Sequence, residues 1–306
     1  MQSKLNKIAK DTNFFLKAFI KNQKKTNLIV PMSYGLFSGG KKIRSKILID
    51  IGSLFGIGYK TLITIGAAVE CIHAYSLIHD DLPCMDNDKM RRGKPSTHIK
   101  FGEATAVLAG NSLLTMAFEI LSYPGLNLSE KIKNNLINKI SRCAGHLGIA
   151  GGQYLDLNYE HKQISKKKII DMEIKKTGKL FSFCCAVPLI LKKRNRSEIQ
   201  RFENIGADIG LLFQVADDII DYKGNSFVAG KKTGKDKRKG KATLISLLGY
   251  ENTIKYAKNL IFKINNKVKK YGPKSKNLLE TLNYILNRNK WKKTTNIWIR
   301  LTFPTT

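Results

Sequence analysis

The chain has 306 residues, 42% of them hydrophobic, with 7 Pro and no Gly/Ser-rich or Pro-rich linker. Such a composition supports a sizeable core, excludes a disordered chain and favours one compact domain. The formal charge is +31, from 54 Lys and Arg against 23 Asp and Glu, which raises the question of a polyanionic partner.

A nucleic-acid binder concentrates its basic residues in one face or tail. Here Lys is spread along the whole chain beside many Asn and Ile. The charge therefore reads as background on solvated helix faces, and no nucleic acid is expected as a partner. The five cysteines (Cys71, Cys84, Cys143, Cys184, Cys185) are odd in number and lack metal-ligand spacing. Buried free thiols in a reducing cytoplasm account for all five. The longest candidate apolar run, 181–191, has 11 residues and contains Pro188, too short for a membrane span. The Lys-rich N-terminus lacks the apolar core and cleavage site of a signal peptide. A cytoplasmic protein without an integral membrane segment is the expectation.

In chain order, 3,4-spaced apolar residues predict helices over 3–22, 41–54, 60–80, 103–122 and 129–149. Further helices are expected over 166–177, 179–192, 197–221, 242–248, 251–270 and 275–289. Gly39-Gly40, Gly56 to Gly58, Arg92 to Pro95, Tyr123-Pro124-Gly125 and Tyr271-Gly272-Pro273 separate several of them. The fold class is all-α, with about ten helices. Segments 63–78 and 205–220 are apolar around most of their circumference and belong in the middle of a bundle.

Both central segments end in clustered carboxylates. Asp80 and Asp81 close the first, and Asp86 follows an insert containing Pro83, which breaks the helix and lets Asp86 fold back towards Asp80. Asp217, Asp218 and Asp221 close the second. Asp217 and Asp221 share a helix face with Gln214, and Asp218 is rotated about 100° away. Carboxylates this close raise one another's pKa, and helix C-termini disfavour negative charge. Local stability does not explain the arrangement. A hard divalent cation does, since Mg²⁺ takes carboxylate and phosphate oxygens. Two such clusters facing each other would hold a metal–diphosphate between them.

These segments resemble the trans-prenyltransferases, specifically the bacterial farnesyl diphosphate synthase type. The resemblance runs from about residue 28 to 290. Asp80-Asp81-Leu82-Pro83-Cys84-Met85-Asp86, continuing to Arg91-Arg92-Gly93, is similar to the family's first aspartate-rich motif in its longer form. Phe213 to Asp221 is similar to the second. Gly39-Gly40-Lys41-Lys42-Ile43-Arg44, Gly151-Gly152-Gln153-Tyr154-Leu155-Asp156 and Lys176-Thr177-Gly178 match further family blocks in the expected order.

The resemblance implies an isoprenoid-synthase-type helical bundle around a central cavity, spanning residues 1–290 as one domain. It implies ionisation of an allylic diphosphate, dimethylallyl or geranyl diphosphate, and alkylation of isopentenyl diphosphate to give farnesyl diphosphate. Three Mg²⁺ ions would neutralise the leaving diphosphate, held by Asp80, Asp81, Asp86 and Asp217, with Asp218 and Asp221 supporting. Arg91, Lys176, Thr177, Gln214 and Lys231 would bind the allylic diphosphate, and Lys41, Arg44, His73 and Arg92 the isopentenyl diphosphate. Released diphosphate would take the proton. Tyr75 and Ser76, one turn before Asp80, would set chain length at farnesyl. A homodimer is implied.

Three departures from the family pattern stand out, the first being Asn111 where the family commonly has Asp. Ser45 replaces a frequent Pro, and residues 291–306 extend past the usual end with Trp291, Trp298 and Phe303. A terpene cyclase would lack the second Asp-rich motif. A basic nucleic-acid-binding helical protein would leave both Asp clusters unexplained. Geranyl or geranylgeranyl diphosphate synthases of the same family remain as alternatives for the product.

Overall fold

The structure is a computed structural model, and it describes residues 1–222 and 240–287. Lys231 and the extension 291–306 lie outside the described residues. Helices α1 (Gln2–Lys21), α2 (Ile29–Leu36), α3 (Ile43–Leu54) and α4 (Tyr59–Asp80) come first. A hairpin of two-residue strands, β1 (Met90–Arg91) and β2 (Lys94–Pro95), follows the first Asp cluster. Then come α5 (Thr97–Phe101), α6 (Glu103–Ser122), α7 (Glu130–Ala144), α8 (Ile149–Asn158), α9 (Lys166–Glu173), α10 (Lys179–Leu191) and α11 (Arg196–Tyr222). Beyond the undescribed segment lie α12 (Leu244–Leu248), α13 (Tyr250–Val268) and α14 (276–287).

The all-α expectation holds, and its physical basis is visible in α4. Ile65, Val69 and Ile72 are fully buried together with Ala67, Ala68 and Cys71 on other faces of the same helix. A helix buried all round sits at the centre, and α4 is packed by α6 on one side and α3 on another. Helices α10 and α11 pair closely, with α10 also resting on α3. The ends of α4 and α11, both carrying carboxylates, are thereby brought to one side of the bundle.

Three local features differ from the expectation. The helix predicted over 129–149 stops at Ala144, where Gly145 and Gly148 intervene, and α8 starts separately at Ile149. Paired glycines disfavour a helix, yet α8 needs Gly152: a Cβ there would lie 2.2 Å from the backbone N of Lys176. Tertiary contact overrides propensity at that crossing. The predicted break at Gly178 is instead a single π-helical turn, Ile174–Gly178, joining α9 to α10. Such turns commonly mark functional positions. Finally, Cys84 is exposed, unlike the other four thiols, because it lies in the insert beyond the end of α4.

By length and composition alone, α4 and α6 are each apolar enough to cross a membrane, a property that a search for uninterrupted apolar runs does not register. Within α4, 83% of the qualifying window is buried in the protein, as befits a core helix; in α6 the figure is 44%.

Candidate active site

A cavity of about 410 Å³ opens between the C-terminal ends of α4 and α11. On the α4 side the insert folds back as its Pro83 predicts: the backbone N of Asp86 donates to the Asp80 carbonyl at 2.8 Å, and that of Asp88 to the Asp81 carbonyl at 3.1 Å. Asp80 and Asp86 both face the cavity. Gln153 of α8 steadies Asp80, donating from Nε2 to Oδ1 at 2.9 Å. Asp81 faces elsewhere. It is buried beside Tyr34 and Ala74 in a separate small hollow, where the Arg91 guanidinium grips it, with Nε 3.0 Å from Oδ1 and a second contact from an Nη. Burial raises the Asp81 pKa, and Arg91 partly offsets that rise.

Across the cavity, α11 presents Asp217, Asp218 and Asp221. The expected 100° rotation does not remove Asp218 from the site, since all three carboxylates line the same wall. Gln214 bonds to Asp218, not to Asp217 or Asp221: its Nε2 donates to Oδ1 at 2.9 Å, while its Oε1 accepts from Thr177 Oγ1 at 3.1 Å. Among the described residues, no three His, Cys, Asp or Glu side chains are already gathered as a metal site. The carboxylates stand on two walls instead.

The π turn aims Lys176 and Thr177 into the space between these walls. Lys176 Nζ donates to Asp156 Oδ2 at 2.6 Å. Lys241 Nζ reaches the same oxygen at 2.8 Å and Asp86 Oδ1 at 2.9 Å. Burial opposes the charge of Lys176, but Asp156, Asp80 and Asp86 outweigh it and raise its pKa. Burial likewise works against ionised Asp156, and the two ammoniums reverse this and hold its pKa below the usual carboxylate range. For Arg91 too, the hydrogen bond to Asp81 overcomes desolvation and raises the pKa.

A second group of basic side chains lines the cavity: Lys41, Lys42, Arg44, Arg92 and His73. Arg44 is buried, its guanidinium 4.9 Å from the Phe181 ring centroid and 5.6 Å from that of Phe213, and its Nε has no hydrogen-bond partner among the described residues. Arg92 bonds to the Gly39 carbonyl and lies across Gly40, where a Cβ would fall 2.6 Å from its Cζ. Gly40 is favoured by its φ of +104°, and a Cβ there would also push the Arg92 guanidinium aside. Lys41 Nζ sits over the Tyr284 ring of α14 at 4.9 Å. Half-buried His73 is held neutral: burial lowers its pKa well below the ordinary value, and the charges of Arg44 and Arg92 add to that. Ser76 lines the cavity floor. Tyr75 is not among the lining residues; its hydroxyl donates to the Ala144 carbonyl at 3.1 Å.

Residues 25–282 match the family model for polyprenyl synthetases. The chain belongs to the polyprenyl synthetase family. It is 40% identical over 270 residues to a farnesyl diphosphate synthase of Escherichia coli, covering 87% of this chain and 90% of that protein. Its fold superposes with a TM-score of 0.83 on an apo FPP/GFPP synthase of Zymomonas mobilis, at 33% identity, covering 93% of this chain and all of the other (100%). A geranyltransferase of Helicobacter pylori, complexed with magnesium and isoprenyl diphosphate, gives a TM-score of 0.78 at 32% identity, covering 93% of this chain and 96% of that one.

Residues of this polyprenyl synthetase site that escaped the sequence reading of roles include Lys42, Glu70, Asp156 and Lys241. Asp156 ends the Gly151 to Asp156 block, so a signal existed. Lys241 closes a lysine-rich run in which nothing local sets it apart, and Glu70 reads as one polar residue on an apolar helix. Of the residues expected to act together, the cavity gathers Lys41, Arg44, His73, Ser76, Asp80, Asp86, Arg91, Arg92, Lys176, Thr177, Gln214, Asp217, Asp218 and Asp221. Asp81 and Tyr75 stand behind its wall.

Proposed function

We propose that the chain condenses isopentenyl diphosphate with dimethylallyl diphosphate, and then with geranyl diphosphate, to give farnesyl diphosphate and diphosphate. The observation that carries this reading is the division of one cavity into two anion sites. One has carboxylates on both walls with Lys176 and Arg91 between them. The other has Lys41, Arg44, Arg92 and neutral His73, with Glu70 as their counter-charge. A reaction joining two diphosphate esters needs two such places, and the leaving diphosphate belongs where metal ligands are available.

The donor set fits Mg²⁺. Asp80, Asp86 and Asp217 offer hard carboxylate oxygens on opposing walls, with Asp218 and Asp221 beside them. With no three-carboxylate site ready-made, substrate oxygens would complete the coordination. Bound there, Mg²⁺ supplies Lewis-acid neutralisation of the departing diphosphate; three ions per site is our reading. Asp81 contributes by orienting Arg91, not by facing the metal. Lys176 and Arg91 clamp the allylic diphosphate, Thr177 and Gln214 set that wall, and Lys231 is a further clamp residue by family pattern. Arg44 and Arg92 offer planar guanidinium donors to the second diphosphate, which suit bidentate contact.

Residues 1–290 are read as one domain. A homodimer is supported by the outer face of α6, where Val107 and Leu108 stay exposed on an apolar helix. We read the location as cytoplasmic, and the water-soluble diphosphates of the proposed substrates fit that reading. Incubation with Mg²⁺, dimethylallyl diphosphate and excess isopentenyl diphosphate, then mass identification of the dephosphorylated alcohols, tests the reading. Farnesol is the expected product. Geraniol or geranylgeraniol as main product moves the chain to a sister activity, and no prenyl alcohol overturns the proposal.

A further inference from the structure

Lys241 makes contacts that substrate binding alone does not explain. Its ammonium bridges Asp86 Oδ1 at 2.9 Å and Asp156 Oδ2 at 2.8 Å, and its side chain is only 10% exposed. The backbone on both sides of it is anchored: the Gly240 carbonyl accepts from His161 N at 2.9 Å, and Thr243 begins α12 with reciprocal bonds to Ser246. Asp156 Oδ2 also accepts from Lys176. One carboxylate oxygen thus restrains two ammoniums that would otherwise repel each other.

We propose that Lys241 is a positioning residue that serves as the internal counter-cation of the metal-free site, neutralising Asp86 until a metal takes that carboxylate, while Asp156 retains the ammonium within the cavity. The inference rests on Asp86 being a metal ligand, as read above. A carboxylate oxygen in contact with an ammonium has less negative charge to offer Mg²⁺, and two cations at contact distance on one carboxylate repel. Metal binding at Asp86 therefore competes with the Lys241 contact. With metal in place, the ammonium displaced from Asp86 stays beside Asp156 and Lys176, where it adds positive charge next to the diphosphate. Lys241 thereby ties metal loading to diphosphate binding: the metal alone competes with it, whereas metal and diphosphate together make use of it.

Opposite signs in two variants separate this role from a merely structural one. In Mn²⁺ titrations of the full chain without substrate, followed by electron paramagnetic resonance, Lys241→Met should bind Mn²⁺ roughly tenfold more tightly than the parent. Asp156→Asn, which leaves Lys241 leaning wholly on Asp86, should bind it several-fold more weakly. Calorimetry with Mg²⁺ and inorganic diphosphate together should show the reverse for Lys241→Met, a several-fold loss. Lys241→Arg, which keeps the charge, should stay near the parent and guards against misfolding as the cause. Unchanged or weaker Mn²⁺ binding by folded Lys241→Met overturns the inference. The parent's condensation assay scores the functional reading separately: an active parent with an unresponsive Lys241→Met sinks only the present inference, and an inactive parent sinks only the assigned reaction.

Discussion

Ser45 donates to Glu70 twice, from Oγ at 3.0 Å and from its backbone N at 3.3 Å, both to Oε1. The pair ties the first turn of α3 to the middle of α4 beneath the second anion site. Lys42 Nζ lies 3.6 Å from the other carboxylate oxygen, and Glu70 opposes the desolvation that lowers the pKa of buried Arg44. Proline, frequent at position 45 in the family, has neither donor. Ser45 thus gives this chain a hydrogen-bonded Glu70 that holds the pocket's cations together before any anion arrives. Glu70→Gln should destabilise the protein by about 3 kcal/mol, the range for removing one partner of a buried pair. Added diphosphate should recover more thermal stability in this variant than in the parent, because the anion replaces the missing charge. Thermal unfolding with and without diphosphate checks both.

Adjacent Asp80 and Asp81 should respond differently to the same change. Asp80 faces the cavity and Asp81 faces Arg91. Asp80→Asn should lower kcat by roughly 10²–10³-fold, as for loss of a transition-state charge contact. Asp81→Asn should act mainly through a misplaced Arg91, raising the KM for the allylic substrate more than it lowers kcat. Steady-state kinetics of the two variants decides this, and equal kcat losses would place both carboxylates on the metal.

Ser76 lines the cavity, and its Oγ donates locally to the His73 carbonyl at 2.9 Å. A large ring there would occupy the space a ten-carbon chain needs. Ser76→Phe should stop elongation at geranyl diphosphate, read by product analysis. Unchanged farnesyl output would mean that the growing chain takes another direction.

Lys46 and Asp50 form a salt bridge within the core, both almost fully buried, and Thr281 of α14 donates to Asp50 Oδ2 at 2.6 Å. Burial raises the Asp50 pKa, and Lys46 acts against it. Lys46→Met alone should cost about 3–5 kcal/mol, since it strands a buried carboxylate. Lys46→Met with Asp50→Leu should recover most of that, because an apolar pair needs no desolvation of charge. Denaturant unfolding of the single and double variants measures the difference.

His73 gives stability a pH dependence of known sign. Its pKa is lowered in the folded protein, by burial first and then by Arg44, Arg92, Lys42 and Arg91. The unfolded chain takes up a proton near the ordinary value of about 6.5 while the folded protein does not. The contribution is present above that pH and is lost as pH falls below it, by at most ~1.4 kcal/mol per pH unit. His73→Gln should flatten this part of the stability profile between pH 7 and pH 5. An unchanged slope would show that His73 is protonated in the fold.

Much of the bundle was legible because its signals are local. The apolar circumference of α4 and α11 marks central helices, and Pro83 marks the turn that returns Asp86 to Asp80. The π turn at Ile174–Gly178 was not legible, because a tight turn and a wide one there have the same residues; in the fold Lys176 of that turn packs directly against Gly152. The rotation of Asp218 away from Asp217 and Asp221 does not take it out of the site, for a related reason. A cavity wider than one helix face collects side chains that a single-face projection separates.

By itself, the amino-acid sequence determined that two carboxylate clusters end two core helices in a basic chain, because periodicity and residue chemistry are properties of short segments. It also determined the family, through five motifs in order. Only the tertiary structure decided which member of each adjacent pair looks inward. Asp80 meets the cavity while Asp81 is claimed by Arg91, and Ser76 lines the floor while Tyr75 bonds to Ala144. It alone brought Lys241, Asp156 and Asp86 within one hydrogen-bonded chain across 155 residues of sequence. Charge is sensed over a few ångströms, and such distances between remote segments are set by packing.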